Sequence, residues 1–186
     1  LVTHRALWRL AREQARRDLR QLVQHEIEKM GDYAPRAFEA NYRAELPPDD
    51  GEVLLIYGKM DRVDVTHSGD AFAVYDYKGG DGNAPSAILS GSEFQMPFYT
   101  LGAKSTVFAK QDPPPECTRW AYYRYKKPVR LSKIVGADAK GQYQGIQDYV
   151  TAAVGFAYQH VRSLRQGQFP LNPQSCSYCD FAAICR

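Results

Sequence analysis

The chain has 186 residues, 44% hydrophobic and 12% aromatic, which suits one domain with a full core and argues against a disordered segment. Its net charge of +3 is too small to establish nucleic-acid binding, and no apolar run approaches the roughly 20 residues of a membrane helix. No charged-then-apolar leader resembles a signal peptide, so a soluble cytoplasmic protein with no membrane partner is expected; the start at Leu1 rather than Met predicts a segment of a longer polypeptide.

Residues 5–30 carry Leu7, Leu10, Ala11, Ala15, Leu19, Leu22, Val23 and Ile27 at helical period, and Gly31 follows as a C-cap would. One long amphipathic helix is predicted. Its Arg9, Arg12, Arg16, Arg17 and Arg20 are interrupted by Glu13 and Asp18, so a solvated face is the simpler reading than a phosphate contact. Residues 37–46 alternate weakly as a first strand would, and Pro47-Pro48-Asp49-Asp50-Gly51 is a turn. Strands are predicted over 52–66 and 71–78, joined at His67-Ser68-Gly69-Asp70 as a hairpin.

The chemistry concentrates in these two strands. Strand alternation puts Asp76 and Lys78 on one face and Tyr77 on the other. If Asp61 of the preceding strand reaches the same pocket, two carboxylates can hold Mg2+ or Mn2+ through hard oxygen donors and leave positions open for water and phosphate. Lys78 then orients the attacking water or offsets phosphate charge. A solvated ion-pair face is the alternative, but the apolar runs Val53-Leu54-Leu55-Ile56 and Ala71-Phe72-Ala73-Val74 leading into each acid favour central strands. Asp64, three residues beyond Asp61, points away from it and is read as a partner of Arg62 or a neighbour.

Gly79-Gly80-Asp81-Gly82-Asn83 predicts a flexible loop beside the pocket, and a helix follows over 93–108. Pro113-Pro114-Pro115 breaks the chain before an aromatic-rich strand over 118–126; a final helix spans 144–166. Arg119, Arg124, Lys126, Lys127 and Arg130 lie among these aromatics, where phosphate contact and ordinary solvation are both open. The sum is an α/β fold, a mixed central β-sheet flanked by helices. Cys176-x-x-Cys179 and Cys185 place three thiols in the last eleven residues, a spacing for zinc or an iron-sulfur cluster.

Taken in order, Gly58-x-x-Asp61-Arg62-x-Asp64, Asp76-Tyr77-Lys78-x-Gly80, Gln95-x-x-x-Tyr99 and the terminal cysteines resemble the PD-(D/E)XK nuclease superfamily, in particular the RecB and AddB type of bacterial helicase-nucleases. The resemblance covers most of the chain and implies a restriction-endonuclease-like core over residues 1–186, the C-terminal part of a longer protein, with a cysteine-rich tail over 170–186. It implies that Asp61, Asp76 and the main-chain carbonyl of Tyr77 are metal ligands, that Lys78 is catalytic, and that Gln95 and Tyr99 position DNA or the lysine. For Gln95 and Tyr99, one helical turn apart, the plain alternative is packing of a surface helix.

A metal-ligating histidine is expected on the first helix; His4 is the better match and His25 the alternative. Glu39 precedes the acidic strands where the family often has a glutamate, although a solvated acid is the simpler reading. Cys176, Cys179 and Cys185 are implied ligands of a 4Fe-4S cluster. The chain departs from the pattern in having no cysteine in its first 116 residues, so a fourth ligand lies upstream or is missing. Cys117 is a substitute only if it is not an ordinary small buried residue. The implied function is a Mg2+- or Mn2+-dependent DNA exonuclease working beside a helicase in double-strand-break repair. A CRISPR-associated adaptation nuclease shares these motifs, and a non-catalytic DNA-binding module that keeps the fold is the reading from another class.

Overall fold

A computed structural model describes residues 4–29, 31–126, 129–136 and 145–168. In chain order the elements are α1 (Arg5–Lys29), β1 (Tyr33–Glu45), β2 (Leu55–Thr66), β3 (Ala71–Lys78), α2 (Ser86–Leu89), α3 (Gln95–Ser105), β4 (Glu116–Arg124), β5 (Arg130–Gly136) and α4 (Ile146–Arg165). The strands form one sheet in the order β1-β2-β3-β4-β5. Every pairing is antiparallel except β3 with β4, which is parallel and therefore needs the crossover that α2 and α3 supply. The expected mixed sheet flanked by helices is what forms.

β3 lies at the centre and is covered on both faces, which is why its sequence reads as an apolar run. On the front, Phe72, Val74, Trp120 and Tyr122 pack against Met96, Tyr99 and Ala103 of α3 and Tyr149, Val150 and Ala153 of α4. On the rear, Ala73, Tyr75, Ala121 and Tyr123 meet Leu22 of α1. The rest of the apolar stripe of α1 is open: Leu7, Leu10, Leu19, Val23 and Ile27 are all more than half exposed. After α1, Gly31 takes the left-handed conformation (φ 56°), the geometry expected of a residue that turns the chain out of a helix.

Several boundaries differ from the sequence expectation. β1 begins at Tyr33 because Tyr33, Ala34 and Pro35 pair with Thr66, Val65 and Asp64; a proline is tolerated there because β1 is an edge strand. β2 begins at Leu55, after an isolated bridge between Asp49 and Glu52. α3 is shorter than expected and starts at Gln95, where the Glu93 carboxylate accepts from the N–H groups of Phe94 and Gln95 (3.0 and 2.8 Å). β5 was not foreseen, since Arg130–Gly136 has no apolar run of its own and owes its order to pairing with β4.

The Tyr42 ring shows what two glycines are for. A Cβ on Gly58 would come within 2.8 Å of the Tyr42 hydroxyl, and one on Gly102 within 2.5 Å of the ring carbons Cγ and Cδ2. The glycine of the Gly58-x-x-Asp61 motif thus makes room for a core aromatic between β2 and α3. Gly102→Ala gains about 1 kcal/mol in helix propensity, but the overlap falls at the root of the ring rather than at a flexible tip, and overpacking costs about 1–3 kcal/mol. A lower melting temperature is expected in thermal denaturation.

Candidate functional site

The site arises where β2 leaves β3. Their ladder runs from Arg62↔Tyr75 to Val65↔Phe72 and goes no further toward the end of β3. The Tyr77 N–H, left without a strand partner on that side, is taken by the Asp61 carboxylate, whose Oδ2 accepts it at 2.9 Å. The side-chain alternation of β2 also breaks here. Ile56, Gly58 and Met60 face the front, Arg62 and Asp64 the rear, and Asp61 stands at the change. The opposing β1 residue, Glu39, has φ 51°.

Along β3, Asp76 and Lys78 do point to the front and Tyr77 to the rear. Asp76 is 2% exposed. Its Oδ1 accepts from Gln95 Nε2 at 2.6 Å, while Lys78 Nζ stands 2.8 Å from Oδ2. That ammonium also donates to Gln95 Oε1 at 3.1 Å and lies 5.8 Å from the centre of the Tyr122 ring, within cation–π range. One amide therefore serves both charges: Gln95 donates to the carboxylate and accepts from the lysine. Its Nε2 also reaches the Tyr99 hydroxyl at 2.9 Å, and burial pushes that phenol up to about 12. Gln95 and Tyr99 are thus hydrogen-bonded to the Asp76 and Lys78 pair, and the Tyr99 ring packs into the core rather than on an open helix surface.

Burial drives the Asp76 carboxyl above the ordinary carboxylate range; Lys78 opposes the rise and nearby Asp61 adds to it. Asp76 Oδ2 is buried and has no aligned hydrogen-bond donor, the Lys78 ammonium being an off-axis ion-pair partner. Two mutually repelling carboxylates and a buried oxygen without an aligned donor are what a hard divalent cation would relieve, so Asp61 and Asp76 fit Mg2+ or Mn2+. Among the described residues, no group of three or more His, Cys, Asp or Glu side chains gathers as a metal site.

The other expected ligands lie apart. His4 is exposed at the start of α1, where its Nδ1 accepts from the Ala6 N–H at 3.3 Å. His25 bonds the Tyr123 hydroxyl at 2.6 Å on the rear face, and Glu39 pairs with Lys59. Cys117 is a core residue; burial raises its thiol to about 11, and the Thr100 hydroxyl donates to its sulfur at 3.5 Å. Cys176, Cys179 and Cys185 lie outside the described residues.

Behind the site, beneath α1, sits an ion network that sequence reasoning caught only in part. Arg62 forks onto Asp64, Nε to Oδ1 and Nη2 to Oδ2, both 2.6 Å, as the alternation of β2 anticipated. Its Nη1 pairs with Glu26 of α1 at 2.6 Å and donates to the Tyr77 hydroxyl at 3.1 Å, while Tyr75 and Phe38 offer ring faces. Burial alone would lower the guanidinium pKa; the bonds to Asp64 and Tyr77 outweigh it and raise the value. The Glu26 contact carried no local signal, since it depends on where α1 crosses the sheet.

Two carboxylates beside a lysine are a donor set that suits metal-assisted hydrolysis of an anionic ester. The sequence comparison agrees: the chain belongs to the PD-(D/E)XK nuclease superfamily, whose family model matches residues 1–186. Nucleases of this superfamily usually use Mg2+ or Mn2+, and membership implies DNA as substrate. No curated protein matches the chain. Among solved structures it is similar to a crystal structure of the protein SSO0001, at 14% identity and a TM-score of 0.38, over 90% of this chain and 67% of that one. No helix among the described residues is long and apolar enough to cross a membrane.

Proposed function

We propose that this chain is a divalent-metal-dependent exonuclease domain that hydrolyses DNA phosphodiesters at ends, in a longer helicase-nuclease acting in double-strand-break repair. The observation that carries the hydrolytic part is the convergence of Asp61, Asp76, Lys78 and Gln95 at the open end of β3. Asp61, Asp76 and the Tyr77 carbonyl are the proposed ligands; an ion held there would supply an activated water and polarise the phosphoryl oxygen. Lys78, aimed by Asp76 and Gln95, offers its ammonium to the phosphate charge or to the attacking water, and Tyr99 fixes Gln95. The repair role, the helicase partner and a 4Fe-4S cluster on Cys176, Cys179 and Cys185 rest on the motif order in the sequence.

End-labelled linear DNA, single- and double-stranded, together with closed circles, separates the outcomes. Release of short products from linear DNA in Mg2+ or Mn2+, none in EDTA and none from circles is the expected result. Cleavage of circles would overturn the exonuclease assignment, and no cleavage of any substrate by folded protein would favour a module that only binds.

A further inference from the structure

Of the basic residues clustered among aromatics near the end of the sheet, the structure separates Arg119 from Arg124 and Arg130. Arg119 turns to the rear, where its guanidinium lies 4.3 Å from the Tyr33 ring centre and Nη1 donates to the Tyr75 hydroxyl at 3.1 Å. Arg124 is the register partner of Lys78 on β4, Arg130 is the partner of Arg124 on β5, and the Tyr125 N–H donates to the Lys78 carbonyl at 3.1 Å. Strand alternation puts both arginines on the face of Lys78 and Tyr122.

The two guanidiniums converge on a single acid. Arg124 Nη1 reaches Asp81 Oδ1 at 3.0 Å, and Arg130 Nη2 reaches both oxygens at 2.9 Å. This fork is the geometry guanidinium groups offer to phosphate as readily as to carboxylate. Asp81 is not needed merely to hold its loop. The Ser132 hydroxyl donates to the Asp81 carbonyl at 2.6 Å, and Gly82, at φ 71°, lies so close over the Tyr122 ring that an added Cβ would come within 2.3 Å of it. The loop after Lys78, expected to be flexible, is fastened by its backbone, while the Asp81 side chain remains 38% exposed.

We propose that Arg124 and Arg130 form a subsite for a backbone phosphate of DNA next to the catalytic lysine, and that the Asp81 carboxylate occupies it until DNA displaces it. The subsite rests on the nuclease reading and deepens it. Asp81 then weakens DNA binding rather than supporting it, the opposite of what a structural anchor does.

Fluorescence anisotropy with a labelled single-stranded oligonucleotide in EDTA tests this without turnover. Asp81→Asn is expected to bind several-fold tighter than the parent chain, and Arg130→Ala several-fold weaker, with the slope of log K against log salt shallower by about 0.7 for the lost phosphate contact. The gain from Asp81→Asn should vanish in the Arg130→Ala background. Equal or weaker binding by folded Asp81→Asn, or a gain that persists without Arg130, overturns the subsite. If Asp81→Asn fails to fold, an unchanged salt slope in Arg130→Ala overturns it alone and a shallower one supports it. A parent chain that cleaves DNA while the variants bind as it does leaves the nuclease reading standing and removes only the subsite; a parent that neither binds nor cleaves removes both.

Discussion

Asp76→Ala is expected to lower metal-dependent DNA cleavage by on the order of 10³-fold or more, while the protein, held in EDTA, unfolds at a temperature no lower than the parent. The two halves of this result have one origin. Asp76 is almost wholly buried, its pKa is raised by burial and by the neighbouring Asp61, and one of its oxygens lacks an aligned donor. In the absence of metal such a group opposes folding, so its removal relieves the fold as it removes a ligand. The partners it leaves behind are well placed to cope: Lys78 is 37% exposed and can turn to water, and Gln95 keeps Tyr99. Cleavage assays beside thermal melts in EDTA check the pair of effects. Lost activity with a large drop in stability would mean that Asp76 is a structural residue.

Arg62→Ala is expected to have the largest effect on stability, a loss of about 3–5 kcal/mol in urea denaturation, because it leaves the buried Asp64 carboxylate without its bidentate partner. Burial already pushes the Asp64 carboxyl up against the pull of Arg62. Glu26, less deeply buried, loses its partner at the same time. Replacing both members of the inner pair, Arg62→Met with Asp64→Leu, should recover much of the loss, since an apolar pair asks for no solvation. If the single variant costs under about 1 kcal/mol, the figure for an exposed pair, water must reach this network from under α1. The contrast with Asp76 matters for reading mutants: Asp64 and Asp76 are both buried, on opposite faces of neighbouring strands, but a forked guanidinium holds the first while one oxygen of the second has no aligned donor.

What could be read from the sequence follows the range of the interaction. Strand periodicity was enough to place Asp76 and Lys78 together with Tyr77 opposite, and to send Asp64 back toward Arg62, since these relations lie within one strand. The central position of β3 was legible from its apolar run. That Asp61 joins Asp76 rested on family resemblance in the sequence; in three dimensions it depends on β2 parting from β3 at that residue, which no local pattern announces. The same holds for the edge proline Pro35, the borrowed order of β5 and the capture of Asp81 by arginines 43 and 49 residues further along the chain. His4 illustrates the converse. A histidine near a helix start matches a motif, yet the fold gives it a local bond to Ala6 and leaves it exposed.

The bond from the Tyr77 N–H to Asp61 closes a gap in the sheet with a side chain, and this makes one amide proton unlike its neighbours. Strand amides are shielded from exchange by carbonyls, whose acceptor strength is indifferent to ions in solution. The shielding of Tyr77 depends instead on a carboxylate that a divalent ion would claim for itself. Its exchange rate is therefore a spectroscopic gauge built into the backbone, able to register what happens at Asp61 without DNA, turnover or an added label.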